Sequence, residues 1–89
     1  MRIAIDVELS ETVEPGRIVE RRRFSRVVEM ELPEIGHEIE LNVSAEPVIV
    51  NVVSIRHDAG DDLYHILVSS RSLRFAALRE DERWTETLL

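Results

Sequence analysis

A repeated alternation of apolar and polar residues is the feature that most restricts how this chain can fold. In RIAIDVEL, residues 2–9, every second residue is isoleucine, valine or leucine, and most of the residues between them are charged. Side chains on a β-strand point to opposite faces in turn, so this period of two predicts a strand with one buried face. The same period recurs at 23–32 and 38–43, which predicts two more strands.

Two further segments have the composition of strands. Residues 48–57, VIVNVVSIRH, and 62–70, DLYHILVSS, are rich in β-branched and large apolar residues and are joined through the short polar loop DAGD. Five strands at regular spacing predict a mainly β protein. We expect a small five-stranded antiparallel barrel or curled sheet with a C-terminal α-helix, folded as one domain over 1–89.

The C-terminal segment changes from a period of two to the spacing of a helix. Its apolar residues fall near one helical face: Leu73, Ala77, Trp84 and Leu88. A helix over about 72–86, with Ser72 as its N-cap, is therefore predicted. A sixth short strand at SLRF followed by a shorter helix is the alternative. In either case Trp84 fastens this segment to the sheet or reaches a neighbouring subunit.

The order of these segments resembles that of small SH3-like β-barrel modules. In the pattern LPEIGHEIEL…VIVNVVSIRHD…LYHILV, a Pro-x-x-Gly turn leads into an alternating strand, and a long strand and a hairpin follow. The resemblance covers about residues 28–68 and implies a small barrel for that part of the chain. The sequence departs from the family's pattern at His37, where such modules commonly place an acidic or polar residue after the glycine.

Composition excludes several kinds of chemistry. The 89-residue chain has no cysteine, which excludes disulfide bonds, thiolate nucleophiles and cysteine-ligated zinc. The N-terminal apolar run is broken at Asp6, so no signal peptide is predicted, and the apolar block PVIVNVVSI is too short to cross a bilayer. We therefore expect a cytoplasmic protein with no membrane contact.

A basic run stands out in an otherwise acidic chain. All 11 basic residues are arginine, the net charge is −7, and five arginines fall within 17–26, around Phe24: Arg17, Arg21, Arg22, Arg23 and Arg26. Residues 27–46 carry six glutamates and no basic residue. The favoured interpretation is that acidic neighbours, in the same chain or in a partner subunit, neutralise the run, with Glu8 near Arg23 if the first two strands pair. Otherwise the run binds nucleic-acid phosphates or another acidic protein.

The hairpin formed by 48–57 and 62–70 is apolar on both faces. Read as a regular strand, 48–57 places Val48, Val50 and Val52 on one face and Ile49, Val53 and Ile55 on the other. A strand that is apolar on both faces is covered on both, here by the C-terminal helix or by a second subunit. We expect a homodimer, with these candidate contact residues: Val48, Val50, Val52, Leu63, Leu67 and Trp84.

The segment HDAGDDLYH gathers the residues that could hold a metal ion: His57, Asp58, Asp61, Asp62 and His65. The histidine spacing lies outside that of usual zinc motifs, and the aspartates lack the spacing of a calcium loop. A polar turn is therefore the favoured interpretation, and no cofactor is expected. A four-residue loop at 57–60 would place the two histidines on opposite faces, whereas a three-residue loop at 58–60 would place them on one face.

No catalytic arrangement is evident in the remaining polar residues. The chain lacks a G-x-S-x-G motif, its three glycines are too far apart for a phosphate-binding loop, and its paired glutamates fall on the expected solvated face. The sequence therefore predicts a non-enzymatic protein-interaction module that self-associates, with the Arg17–Arg26 segment as the favoured surface for contact with a partner or anion. The alternatives are a nucleic-acid-binding module that uses the arginine run and a small metal- or ligand-binding protein.

Overall fold

The computed structural model describes residues 1–16 and 18–89 and, within them, places six β-strands and one short α-helix in the chain. In chain order these are β1 Arg2–Glu14, β2 Ile18–Glu29, β3 Glu38–Val43, β4 Glu46–Asp58, β5 Leu63–Ser69, α1 Phe75–Arg79 and β6 Thr85–Leu88.

The strands form one mixed sheet that is not closed into a barrel. Their order across the sheet is β3-β4-β5-β1-β2-β6, with β5 parallel to β1 and every other neighbouring pair antiparallel. The prediction of a mainly β fold is confirmed. The prediction of five antiparallel strands is wrong, because the sheet has a sixth strand and β5 runs parallel to β1. Residue periodicity identifies a strand without identifying its neighbours or their direction.

The predicted helix over 72–86 also requires correction. The helix spans only Phe75–Arg79 and starts without a side-chain cap, so Ser72 is not its N-cap. The residues after it extend as β6, which pairs antiparallel with Arg22–Ser25 of β2. β-branched residues at Thr85 and Thr87 favour this extended conformation. The helix is shorter, as in the alternative prediction, but the sixth strand lies at 85–88 rather than at SLRF.

One face of the sheet carries the core, and we call it the covered face. Side chains from β1, β2, β4 and β5 meet residues of the C-terminal segment there, and the most deeply buried include Ile3, Ile5, Val7, Phe24, Val50, Ile66 and Leu78. The Phe24 ring lies 6.0 Å from that of Phe75, centroid to centroid. Helix α1 therefore packs on this face. No helix in the described residues is long and apolar enough to span a membrane.

A β-bulge at Val53 explains why the sequence of β4, read as a regular strand, places apolar residues on both faces. Val52 pairs with Val68 and Ser54 pairs with Leu67, so Val53 is an extra residue in the strand. The extra residue reverses the alternation and returns Ile55 to the covered face, where it packs against the core. The prediction that Ile55 shares a face with Ile49 and Val53 is therefore wrong.

Candidate functional site

The second face of the sheet, which we call the open face, carries the alternate residues of the same strands. The strand register places these side chains on it: Ala4, Asp6, Glu8, Arg23, Ser25, Val27, Ile49, Asn51, Ser54, Arg56, Leu63, His65, Leu67 and Ser69. The bulge residue Val53 has no partner in the register, and alternation after the buried Val52 places it on the same face. A depression of about 80 Å³ lies at its centre, lined mostly by polar and charged residues. Exposed apolar side chains flank this centre: Val27 is 44% exposed, Ile49 54% and Val53 49%.

Asp6 is a buried carboxylate at the centre of the open face. Its side chain is only 9% exposed. The hydroxyl of Ser25, opposite Asp6 on β2, donates a hydrogen bond of 2.6 Å to Asp6 Oδ1. The other oxygen, Oδ2, lies 3.2 Å from His65 Nδ1. Among the described residues, His65 is the partner with which Asp6 forms an ion pair.

The imidazole of His65 lies between two carboxylates. Nδ1 faces Asp6, and Nε2 lies 2.7 Å from Asp61 Oδ2. Burial lowers the pKa of His65, but hydrogen bonds to Asp61 and Asp6 and their negative charges raise it more, so it is above its ordinary value. The same hydrogen bond from His65 holds the pKa of Asp61 below its usual range. The two carboxylates therefore favour the positively charged form of the His65 imidazole.

The turn between β4 and β5 brings further carboxylates to His65. Asp58 Oδ1 accepts a 2.8 Å hydrogen bond from the Gly60 backbone N–H, which lowers the pKa of Asp58. Asp61 Oδ1 accepts one of 3.0 Å from the Leu63 N–H. One possible ligand atom from each of Asp58, Asp61 and His65 lies within 4.8 Å of the other two.

The two histidines of the hairpin lie on opposite faces. The turn spans 59–62, and its register pairs His57 with Tyr64 and Arg56 with His65. His57 Nε2 lies 3.2 Å from Asp62 Oδ1, and its ring packs edge-on against Tyr64 with 4.9 Å between centroids. The five candidate metal ligands therefore divide into two groups. Asp58, Asp61 and His65 lie together, whereas His57 and Asp62 form a separate pair.

Acidic neighbours neutralise most of the arginine run that the structure describes. Glu8 lies opposite Arg23 and accepts a hydrogen bond of 2.5 Å from its guanidinium, as predicted, and this bond raises the pKa of Arg23. Glu8 also lies 3.8 Å from Arg21, and the Arg22 guanidinium pairs with Glu20 at 2.8 Å and with Glu86 at 3.2 Å.

The run does not form one continuous basic surface. Arg21 and Arg23 share a face of β2 because they are two residues apart, while Arg22 and Arg26 lie on the other face. Arg26 donates a 3.4 Å hydrogen bond to the Asn42 carbonyl. Phe24 is only 1% exposed, so it offers no surface on which a base could stack. Arg17, the fifth predicted member, lies outside the described residues.

The candidate subunit-contact residues divide between the two faces. Val50, Val52 and Trp84 are at most 7% exposed and belong to the chain's own core. Val48 is half-buried against that core. Their assignment to a subunit contact is corrected, because they pack within the core of one chain. The remaining two, Leu63 and Leu67, lie half-buried on the open face.

Asp81 is a buried polar residue that no sequence motif singled out. Its carboxylate accepts hydrogen bonds of 2.7 and 2.9 Å from the Arg83 guanidinium and one of 3.1 Å from the Ser44 backbone N–H. The Arg83 hydrogen bonds hold the pKa of Asp81 well below its usual range. Ser44 and Ala45 form the β3–β4 turn with positive φ angles of 50° and 64°, so Asp81 ties a strained turn to the C-terminal segment.

Comparison of the chain with protein-family models, with curated proteins and with solved structures gives no match. The functional interpretation therefore depends on the geometry of the two faces.

Proposed function

We propose that the protein is a non-enzymatic interaction module that forms a homodimer through the open face of its sheet. The observation that carries this proposal is the exposure of Ile49 and Val53 on that face, 54% and 49%, beside half-buried Leu67. Exposed apolar side chains grouped on one face mark an interaction surface in many proteins. A cytoplasmic location is part of this proposal.

The position of the C-terminal segment supports the proposal that a second subunit covers this face. Leu73, Phe75, Leu78 and Trp84 all belong to the core of the covered face. Within the described residues, no helix lies over Ile49 or Val53. A two-fold dimer would bring the same patch from each chain together, so an apolar patch on one chain would meet an equally apolar patch on the other.

Two polar residues lie within the patch and suit hydrogen bonding across such a contact. Asn51 lies between Ile49 and Val53 along β4 and faces Ser69 on β5. Protein interfaces carry direct hydrogen bonds among their apolar contacts. The arginine run is a weaker candidate surface, because Arg21, Arg22 and Arg23 already have carboxylate partners within the chain.

The experiment is sedimentation equilibrium on the wild type and two matched variants. Ile49→Asp places a charge in the proposed contact, and Ile35→Asp changes an isoleucine of comparable exposure, 63%, in the connection between β2 and β3. We expect Ile49→Asp to weaken dimerisation at least about tenfold and Ile35→Asp to leave it unchanged. A monomeric wild type, or equal effects of the two variants, would overturn the proposal.

A further inference from the structure

We propose that the hairpin end of the open face binds one divalent transition-metal ion, such as Zn²⁺, through Asp58, Asp61 and His65. This inference does not rest on the proposed dimer, because it uses only residues at the end of the β4–β5 hairpin, and none of the three is among the proposed contact residues.

The three side chains have suitable chemistry and spacing for such an ion. Each offers one ligand atom, two carboxylate oxygens and one imidazole nitrogen, and these atoms lie within 4.8 Å of one another. Zinc binds such atoms at about 2.0–2.2 Å, which places neighbouring ligand atoms about 3.4 Å apart in a tetrahedron. Small side-chain movements would therefore bring them into coordination. The Asp58 and Asp61 side chains are 40% and 42% exposed, so water can occupy the remaining coordination positions.

A residue outside this group, Asp6, gives an independent reason to expect a cation at His65. Asp6 lies on β1, 59 residues from His65 in sequence, and its buried carboxylate faces His65 Nδ1. Metal-bound histidines almost always donate their second ring N–H to a carboxylate, a carbonyl or a water. When Nδ1–H donates to Asp6, the Nε2 lone pair of a neutral ring points at the Asp61 carboxylate, which requires a proton or a metal ion between them.

The charge balance at the hairpin end also favours a divalent cation. Three carboxylates, Asp6, Asp58 and Asp61, surround one imidazole, and the Arg56 guanidinium lies 3.4 Å from Asp58 Oδ2. Arg56 is 57% exposed and can turn away when an ion takes its place. Backbone N–H groups hold one oxygen of Asp58 and one of Asp61, which leaves the second oxygen of each for the ion.

The test is a titration of chelator-treated protein with Zn²⁺ by calorimetry and with Co²⁺ by visible ligand-field absorption. The variants His65→Gln and Asp61→Asn each remove a proposed ligand. His57→Gln is the matched control, because His57 lies in the same hairpin and pairs with Asp62 on the other face. Circular dichroism establishes that each variant is folded.

We expect one ion per chain in the wild type and in His57→Gln, and at least about tenfold weaker binding in His65→Gln and Asp61→Asn. Asp6→Asn, which changes only the positioning residue behind His65, should weaken binding by about 10–100-fold. The absorption of bound Co²⁺ should change in Asp6→Asn, since the basicity of the imidazole changes. Undetectable binding by the wild type, unchanged binding by His65→Gln, or an equal loss in His57→Gln would overturn the proposal.

Discussion

The covered face and the open face are built from alternate residues of the same strands, yet they differ in what surrounds each side chain. On β1, Ile3, Ile5 and Val7 are fully buried among apolar neighbours from the C-terminal segment and the other strands. Asp6 lies between Ile5 and Val7 in sequence but points to the open face, where its side chain is only 9% exposed among polar neighbours such as Ser25 and His65. Burial by apolar packing stabilises the fold, whereas burial of a charge requires specific partners.

This difference predicts that stability depends mainly on the covered face. Phe24→Ala removes a ring that is 1% exposed and packs against Phe75, so we expect unfolding to become easier by about 3–5 kcal/mol. Val27→Ala, three residues later on the open face but not among the proposed contact residues, removes a side chain that is 44% exposed and should cost about 0.5 kcal/mol. Urea unfolding monitored by circular dichroism measures both. Equal losses would mean that the two faces do not differ in this way.

The next largest effect concerns the contact that holds the C-terminal segment against the covered face. Asp81→Asn removes the charge that accepts hydrogen bonds from Arg83 and Ser44, and we expect a loss of about 2 kcal/mol at neutral pH. Because folding lowers the pKa of Asp81, its contribution is present above the unfolded pKa of about 4 and is lost as pH falls through the folded value. Stability of the wild type and the variant should therefore converge in acid.

Asp62 serves as the control for Asp81→Asn. Asp62 lies in the β4–β5 turn with a side chain that is 91% exposed, so Asp62→Asn should change stability by less than about 0.5 kcal/mol at any pH. Thermal unfolding between acid and neutral pH measures both variants. A pH-independent difference between wild type and Asp81→Asn would show that the charge of Asp81 is not what fastens the segment.

A smaller effect is expected at the polar centre of the open face. Ser25→Ala leaves the buried Asp6 without its 2.6 Å hydroxyl donor, and a loss of about 1–2 kcal/mol follows. Ser54, exposed on the same face, is the control, and Ser54→Ala should have little effect. Chemical denaturation of the two variants decides whether the centre of the open face contributes to stability. If Ser25→Ala is also neutral, solvent replaces the hydroxyl at Asp6.

Local periodicity was sufficient to predict most strands but not their arrangement. The alternation in RIAIDVEL correctly predicted that Ile3, Ile5 and Val7 face the core. The bulge at Val53 was not predictable, because the extra residue is defined only by the pairing of β4 with β5. The helical spacing of the tail was also misleading, since pairing with β2 draws Thr85–Leu88 into an extended strand.

The sequence likewise indicated residues of the candidate sites without showing which of them lie together in the fold. The segment HDAGDDLYH contains all five candidate metal ligands. Only the geometry of the turn at 59–62 shows that Asp58, Asp61 and His65 lie together, whereas His57 pairs with Asp62. Asp6 has the alternation of a solvated residue, and its burial depends on β5 lying parallel to β1, a pairing between residues far apart in the chain. No local signal in the sequence carries that information.

The most direct test of the self-association proposal is the native mass of the wild-type protein by light scattering, at low salt and again at high salt. The proposed contact is apolar, so we expect twice the monomer mass of 10.3 kDa under both conditions. A monomer under both conditions would contradict the proposal that a second copy covers the open face. A dimer that dissociates in high salt would also contradict it and would assign the contact to charged residues such as those of the arginine run.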